Sequence, residues 1–222
     1  MGGLNEILDR MAAAAERADR DQDEVRLVAV TKTATPGAIR AVYDAGHRDF
    51  GENREAGLVA GVELLPGDAR WHMIGRMQGN KVRKVRPIVS LLHSLDRPEL
   101  AGYWAKGPGP WPPVLIQVNI GGDPNKAGVS PEGTPGLVEV AAGRGLDVVG
   151  LMTVPPQAQS PEESRPLFRA MALLRERLAS DHPGLTELSM GMTDDFEVAV
   201  EEGATILRVG RAIFGAFEEN QG

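Results

Sequence analysis

Residues 25–32 read Val-Arg-Leu-Val-Ala-Val-Thr-Lys, a short run that is mostly apolar and rich in β-branched side chains. Strict alternation of apolar and polar residues would mark a strand with one wet face. A near-continuous apolar run marks a strand covered on both faces, as in a parallel sheet. Seven more such runs follow: Arg48–Asn53, Arg70–Gly75, Leu91–Leu95, Val114–Ile120, Leu146–Thr153, Thr186–Gly191 and Thr205–Gly210. Upstream, Leu4, Ile7, Leu8 and Met11 recur at helical spacing and predict an amphipathic helix over residues 3–20.

Helix signals lie between the strand runs. Thr35 and Pro36 suit an N-cap and first helical position, Ile39, Val42 and Tyr43 form a stripe, and Gly46 suits the residue beyond the end. Asp96 with Pro98, and Thr134 with Pro135, mark two further starts. Leu167, Met171, Leu174 and Leu178 form a long stripe whose Pro166 belongs in the first turn. Thr193 is placed to cap a later helix, with Asp194 and Asp195 near its positive end and Gly203 closing it. Parallel strands need a crossover between each pair, so this alternation predicts an α/β fold: a single (β/α)8 TIM barrel with an extra N-terminal helix. The rival, a doubly wound open sheet, would most naturally carry a Gly-rich nucleotide turn, and neither G-x-G-x-x-G nor G-x-x-x-x-G-K-[ST] occurs. Gly107–Pro113 (GPGPWPP) reads as a loop rather than a linker, so residues 1–222 are expected to form one domain.

A hydrophobic fraction of 42% with 25% charged residues excludes a disordered or fibrous chain. The net charge of −7 repels polyphosphate and argues against a nucleic-acid partner, leaving room for a small anion in a local positive pocket. The absence of cysteine removes disulfides, thiolate nucleophiles and Cys-containing zinc sites. The opening MGGLNEILDR lacks a signal-peptide core, Glu6 stands where a myristoylation motif needs Ser or Thr, and no run approaches a membrane span. A cytoplasmic protein without a membrane partner is expected.

In such barrels the chemistry sits at the C-terminal ends of the strands. Lys32 ends the first of them, and it is one of only five lysines, at 32, 81, 84, 106 and 126. Two readings stand: a lysine with a solvated tip, or an amine whose charge is disfavoured in an apolar mouth and which condenses with an aldehyde to a Schiff base. Ser189–Met192 end the seventh strand, and Arg208–Arg211 end the eighth and lead into Ala212–Gly215. Barrel phosphate sites are commonly built there, where small residues turn backbone N–H groups toward an anion. Gly191 and Gly210 fit that need, as they fit plain tight turns. A Schiff-base lysine across the barrel from a phosphate cup suits an aldehyde phosphate: pyridoxal 5′-phosphate (PLP), or a sugar phosphate cleaved by an aldolase.

The strings VAVTKT (28–33), FGEN (50–53), WHMIG (71–75) with GNK (79–81), SMGMTDD (189–195) and RVGRAIFG (208–215) resemble the pyridoxal phosphate homeostasis proteins, in order, from about Val25 to Gly215. That family is a one-domain barrel similar to the N-terminal domain of alanine racemase, carrying PLP without established turnover. The resemblance implies that Lys32 holds PLP as a Schiff base, that Asn53 and His72 line the ring side, and that Ser189, Gly191, Gly210 and Arg211 surround the phosphate. It also implies that Arg208 faces the pyridine nitrogen. A guanidinium can only donate, so it would leave that nitrogen unprotonated and weaken the ring as an electron sink. Many members carry Thr or Ser where Arg211 stands.

The expected function is therefore PLP homeostasis by buffering or delivery, with PLP and apo PLP-dependent enzymes as partners, no metal, and a monomeric state. The alternative is a weak racemase-like PLP enzyme of the same barrel type. Alanine racemase adds a β-rich domain whose Tyr supplies the base on the opposite face, and this chain is expected to lack it. His47, His93 and His182 have no metal-type spacing and are expected at the surface or at helix ends. His72, between Trp71 and Met73, also suits a satisfied core histidine. Lys126 and Gly128 in PNKAGV resemble the family's S-K-x-G element, with Asn125 in place of Ser, and no role follows for them. Lys81, Arg83, Lys84 and Arg86 read as a solvated helix face, with a docking patch or second phosphate site as the alternative.

Overall fold

The eight apolar runs become the staves of a closed, all-parallel barrel in the order of the chain. The computed structural model describes residues 2–218. Helix α1 (Gly2–Arg17) precedes β1 (Arg26–Val30), α2 (Pro36–Asp44), β2 (Asp49–Glu52), α3 (Glu55–Leu64) and β3 (Arg70–Met73). Next come α4 (Val82–Val85), β4 (Leu91–Leu95), α5 (Pro98–Lys106), β5 (Val114–Gln117), α6 (Thr134–Ala142) and β6 (Val148–Met152). The chain ends with α7 (Arg165–Ala179), β7 (Glu187–Ser189), α8 (Phe196–Glu201), β8 (Ile206–Val209) and α9 (Arg211–Glu218). Pairing of β8 with β1, from Arg26↔Ile206 to Ala29↔Val209, closes the sheet.

Apolar side chains on the outer face of the strands meet the helices in one shell that includes Phe50, Trp71, Phe168 and Phe196. A second cluster, Val28, Leu91, Leu115, Met152 and Ile206, draws on five strands and fills the barrel interior. Alternation along each strand feeds both layers, which is why the runs read as continuously apolar. The extra helix α1 lies against α8 and α9. Arg10 and Arg17 pair with Glu197 and Glu201 of α8 at 3.3 and 2.9 Å. Arg20 donates to the Val200 and Ala204 carbonyls, satisfying acceptors that the end of α8 leaves free.

Several ends differ from the sequence reading. The β1 run stops at Val30, so Thr31 and Lys32 belong to the mouth. The β5 run stops at Gln117 because Val118 bridges to Val129 in its own following loop. Thr35 does cap α2, accepting from the Ala38 N–H at 3.3 Å, and Gly46 follows the helix at φ 98°. Thr134 and Pro135 open α6 as its first two residues, whereas α8 starts after Asp195 rather than at Thr193. The expected solvated basic face holds for the exposed Arg83 and Lys84 and is corrected at Arg86. Lys81 and Lys84 both pair with Glu55, at 2.6 and 3.2 Å. Arg86 is buried under the 107–113 loop, where it donates to the Gly107 carbonyl and lies 5.3 Å from the Trp111 ring centroid. Among the described residues no helix is long and apolar enough to cross a membrane.

Candidate functional site

The mouth begins where β1 gives out. The Thr31 hydroxyl donates to Glu52 Oε1 at 2.6 Å, and Glu52 Oε2 accepts the Asn53 N–H at 3.1 Å. This buried carboxylate ties the ends of β1 and β2 together beside Lys32, whose own side chain is exposed. Lys32 opens onto a cleft of about 650 Å³ that it shares with Lys126, Met192, Asp194, Asp195 and Arg211. That volume is in the range of small-molecule sites. Lys126 Nζ donates to the Pro155 carbonyl at 2.5 Å, so it clamps the loop after β5 to the loop after β6. The PNKAGV stretch, which suggested no role as sequence, thus shapes one wall of the cleft.

The sequence reading placed the lysine and the anion cup on opposite sides of the barrel. Closure corrects that, because β8 is the direct neighbour of β1. A Cβ on Gly210 would stand 2.9 Å from the Val30 carbonyl oxygen, so only glycine lets the end of β8 approach the residues that lead into Lys32. Gly191 sits at φ 91°, a conformation that favours glycine. Immediately after Gly210, α9 begins, and its first N–H groups have no intrahelical acceptor. Backbone donors at a helix start suit an anion. Arg211 contributes an exposed guanidinium, paired with exposed Asp194 at 2.5 Å. Asp195 is bound to the frame of this wall: it accepts the Met192 N–H at 2.7 Å and the Ser164 hydroxyl at 3.2 Å, while burial pushes its carboxyl up from the usual range.

Below the mouth the interior is polar along one line. Arg208 is 4% exposed. Its Nη2 donates to the Thr153 carbonyl at 2.8 Å and its Nη1 to Ser189 Oγ at 2.6 Å. Among the described residues no carboxylate lies within hydrogen-bond reach of it. Ser189 Oγ is 2.8 Å from His93 Nδ1, His93 Nε2 is 3.0 Å from His72 Nδ1, and His72 Nε2 is 3.0 Å from Asp49 Oδ1. Asp49 is also gripped by Arg70. Burial pushes Arg208 down to about 10, which leaves it cationic at neutral pH. Burial lowers His72 despite the adjacent Asp49, and it lowers His93 further, helped by His72 and Arg208. Burial works against ionisation of Asp49, yet the bonds from Arg70 and His72 hold its carboxyl well below the usual range.

The structure therefore gathers Lys32 and Arg211 on one cleft, sets Gly191 and Gly210 directly before its lining residues Met192 and Arg211, and puts Ser189 and Arg208 beneath. Asn53 faces a neighbouring cleft of about 590 Å³, with Arg54, Arg76 and Arg97. His72 lies deeper, lining a cavity of about 500 Å³ at the opposite end of the barrel with Arg26, Asp49 and Arg70. His93, expected at the surface, is fully buried in β4. Its place in the middle of the apolar LLHSL run, on the inward register, was the signal for it. His47 is half-buried, with Nε2 against the Asp49 carbonyl at 2.8 Å, and His182 does sit past a helix end, 2.9 Å from Glu139. Thr31 and Glu52 carried no signal beyond standing next to Lys32 and Asn53 in the sequence.

Residues 4–218 match the family described as "Alanine racemase, N-terminal domain", which defines the class of barrel. Over 218 residues, 96% of each chain, the protein is 43% identical to the pyridoxal phosphate homeostasis protein of Aquifex aeolicus. It is 40% identical to that of Pseudomonas aeruginosa over 219 residues, 96% of this chain and 94% of the other. The structure of PipY from Synechococcus elongatus with PLP bound is similar at a TM-score of 0.76 and 33% identity, covering 94% of this chain and 100% of that one. The chain belongs to the pyridoxal phosphate homeostasis protein family.

Proposed function

We propose that this protein holds PLP in the barrel mouth as a Schiff base on Lys32 and takes part in intracellular PLP homeostasis, buffering the cofactor or delivering it to apo enzymes. It acts as one monomeric barrel domain in the cytoplasm. The observation that carries the reading is the adjacency of Lys32 to the Gly210 turn and the start of α9. PLP bears its aldehyde and its phosphate arm on neighbouring ring carbons, so amine and anion cradle must be close neighbours. An open-chain sugar phosphate, the aldolase substrate, carries the two groups at opposite ends and fits that spacing less well. The names of the relatives and the PLP-bound PipY point the same way.

Gly191, Gly210 and the first N–H groups of α9 would take the phosphate, with the Arg211 side chain free to add a second cation once released from Asp194. Asn53 would approach the ring from the β2 side. Arg208 stays protonated at neutral pH and would donate to the ring nitrogen, leaving it without a proton. Bound there, PLP supplies a reactive aldehyde with a weakened electron sink, which favours holding and release over turnover. Incubating loaded protein with an apo PLP enzyme should restore that enzyme's activity, while a panel of L- and D-amino acids should give no product beyond a PLP-only control. Robust, Lys32-dependent amino-acid turnover would overturn the carrier reading in favour of a racemase-like one.

A further inference from the structure

With both imidazoles neutral, the buried line from Arg208 to Asp49 has one consistent direction. An ionised carboxylate only accepts and a guanidinium only donates, so both ends of the line are fixed. His72 must therefore give its Nε2–H to Asp49, and its bare Nδ1 accepts from His93 Nε2–H. His93 Nδ1 in turn accepts the Ser189 hydroxyl proton, and Ser189 Oγ accepts from Arg208 Nη1. Each bond needs one proton, each of the four donors supplies one, and both imidazoles stay neutral. The line starts at Asp49, the first residue of β2 at the barrel floor, and ends at Arg208, near the top of β8. It passes through four strands in addition to β2.

We infer that Asp49, His72, His93 and Ser189 are positioning residues: together they form a one-way hydrogen-bond chain through the barrel that fixes the guanidinium of Arg208 beneath the ligand mouth. The inference rests on the PLP-binding reading for what Arg208 meets, and on the geometry alone for the chain itself. Its logic is electrostatic as well as steric. Among the described residues Arg208 is a buried cation without a carboxylate partner, and the aligned dipoles of Ser189, His93 and His72 turn their negative ends toward it and their positive ends toward Asp49. Ser189 is central, because its single hydroxyl proton is committed to His93 and only its lone pairs face Arg208. An arrangement with His93 reversed would aim two donors at Ser189 Oγ and release its proton elsewhere, loosening the grip on Arg208. The sequence reading gave Ser189 and His72 to the cofactor itself; the chain gives them a task one layer below, acting through Arg208.

The test uses the full chain with 15N-labelled histidine and no ligand, followed by PLP titration of two variants. Side-chain NMR at pH 7 should find His72 and His93 neutral, each with its proton on Nε2. His93→Gln keeps one donor and one acceptor in the line and should bind PLP within about 3-fold of wild type. His93→Leu removes both and should weaken binding about 10-fold with a shifted absorption band of the bound cofactor, although thermal melting confirms a folded barrel. A proton on Nδ1 of either ring would overturn the chain, as would a folded His93→Leu with wild-type affinity and spectrum. Failure of wild type to take up PLP would sink the functional reading instead, and the two tautomers would still decide the chain.

Discussion

Lys32 and Arg211 stand in solvent at the barrel mouth, whereas Arg208, His72 and His93, a layer or two deeper, are buried. The mouth holds its charges loosely: Arg211 has one exposed carboxylate partner, and such pairs contribute about 0–1 kcal/mol. The interior holds its polar groups in a fully bonded line, where orphaning one member costs about 1–3 kcal/mol. A site that must accept and surrender a ligand gains from that division. The exposed residues can exchange partners while the buried ones keep the geometry constant.

Substitutions in the two regions should therefore part company. Lys32→Ala has the largest expected effect on ligand and the smallest on fold: PLP affinity falls about 100-fold, or about 2.7 kcal/mol, with an unchanged thermal midpoint. Equal loss of stability and affinity would break the contrast. Arg208→Ala should lower both quantities, because it removes a charged donor, worth about 1.5–3 kcal/mol, and strands Ser189 and the Thr153 carbonyl. Titration with PLP beside a denaturant melt separates the two losses.

Acid should act on the interior first. His72 and His93 are held neutral by burial, amid Arg26, Arg70 and Arg208, so their native pKa values lie below the unfolded value of 6.5. As pH falls below 6.5 the unfolded chain binds protons that the native chain refuses, and stability declines by up to about 1.4 kcal/mol per unit for each ring. Chemical denaturation between pH 7 and 5 should give that slope, reduced in His93→Gln. A flat profile would mean that both rings titrate as they do in the unfolded chain, and a gain in stability on acidification would mean that the native rings already carry protons. Arg211→Ala sits at the bottom of the scale: less than about 1 kcal/mol in PLP affinity and no change in melting. A larger loss would promote its side chain to a phosphate ligand.

The barrel was readable because strands covered on both faces leave continuous apolar runs, and because Thr35 with Pro36 and the late glycines mark helix starts and stops. The strand ends were less so. Thr31 and Lys32 look like a continuation of β1, yet the chain leaves the ladder there to form the mouth. At the site, Lys32 and the glycines of the anion cup stand out by residue type at strand ends, but their adjacency depends on β8 closing onto β1, a long-range fact. The interior line was the least legible part. His72 and His93 are separated by a whole strand-helix unit, and no local spacing says that two inward registers meet. Arg86 misled for a related reason: a charge beside two lysines reads as solvated until a distant loop folds over it.

The claim on which the rest depends is that Lys32 is the residue that bonds PLP. Reducing the loaded protein with borohydride, digesting it and mapping the pyridoxyl-bearing peptide by mass spectrometry tests that directly. A single label is expected on Lys32, within the peptide that follows β1. A label on Lys81 or Lys126 with Lys32 unmodified would contradict it.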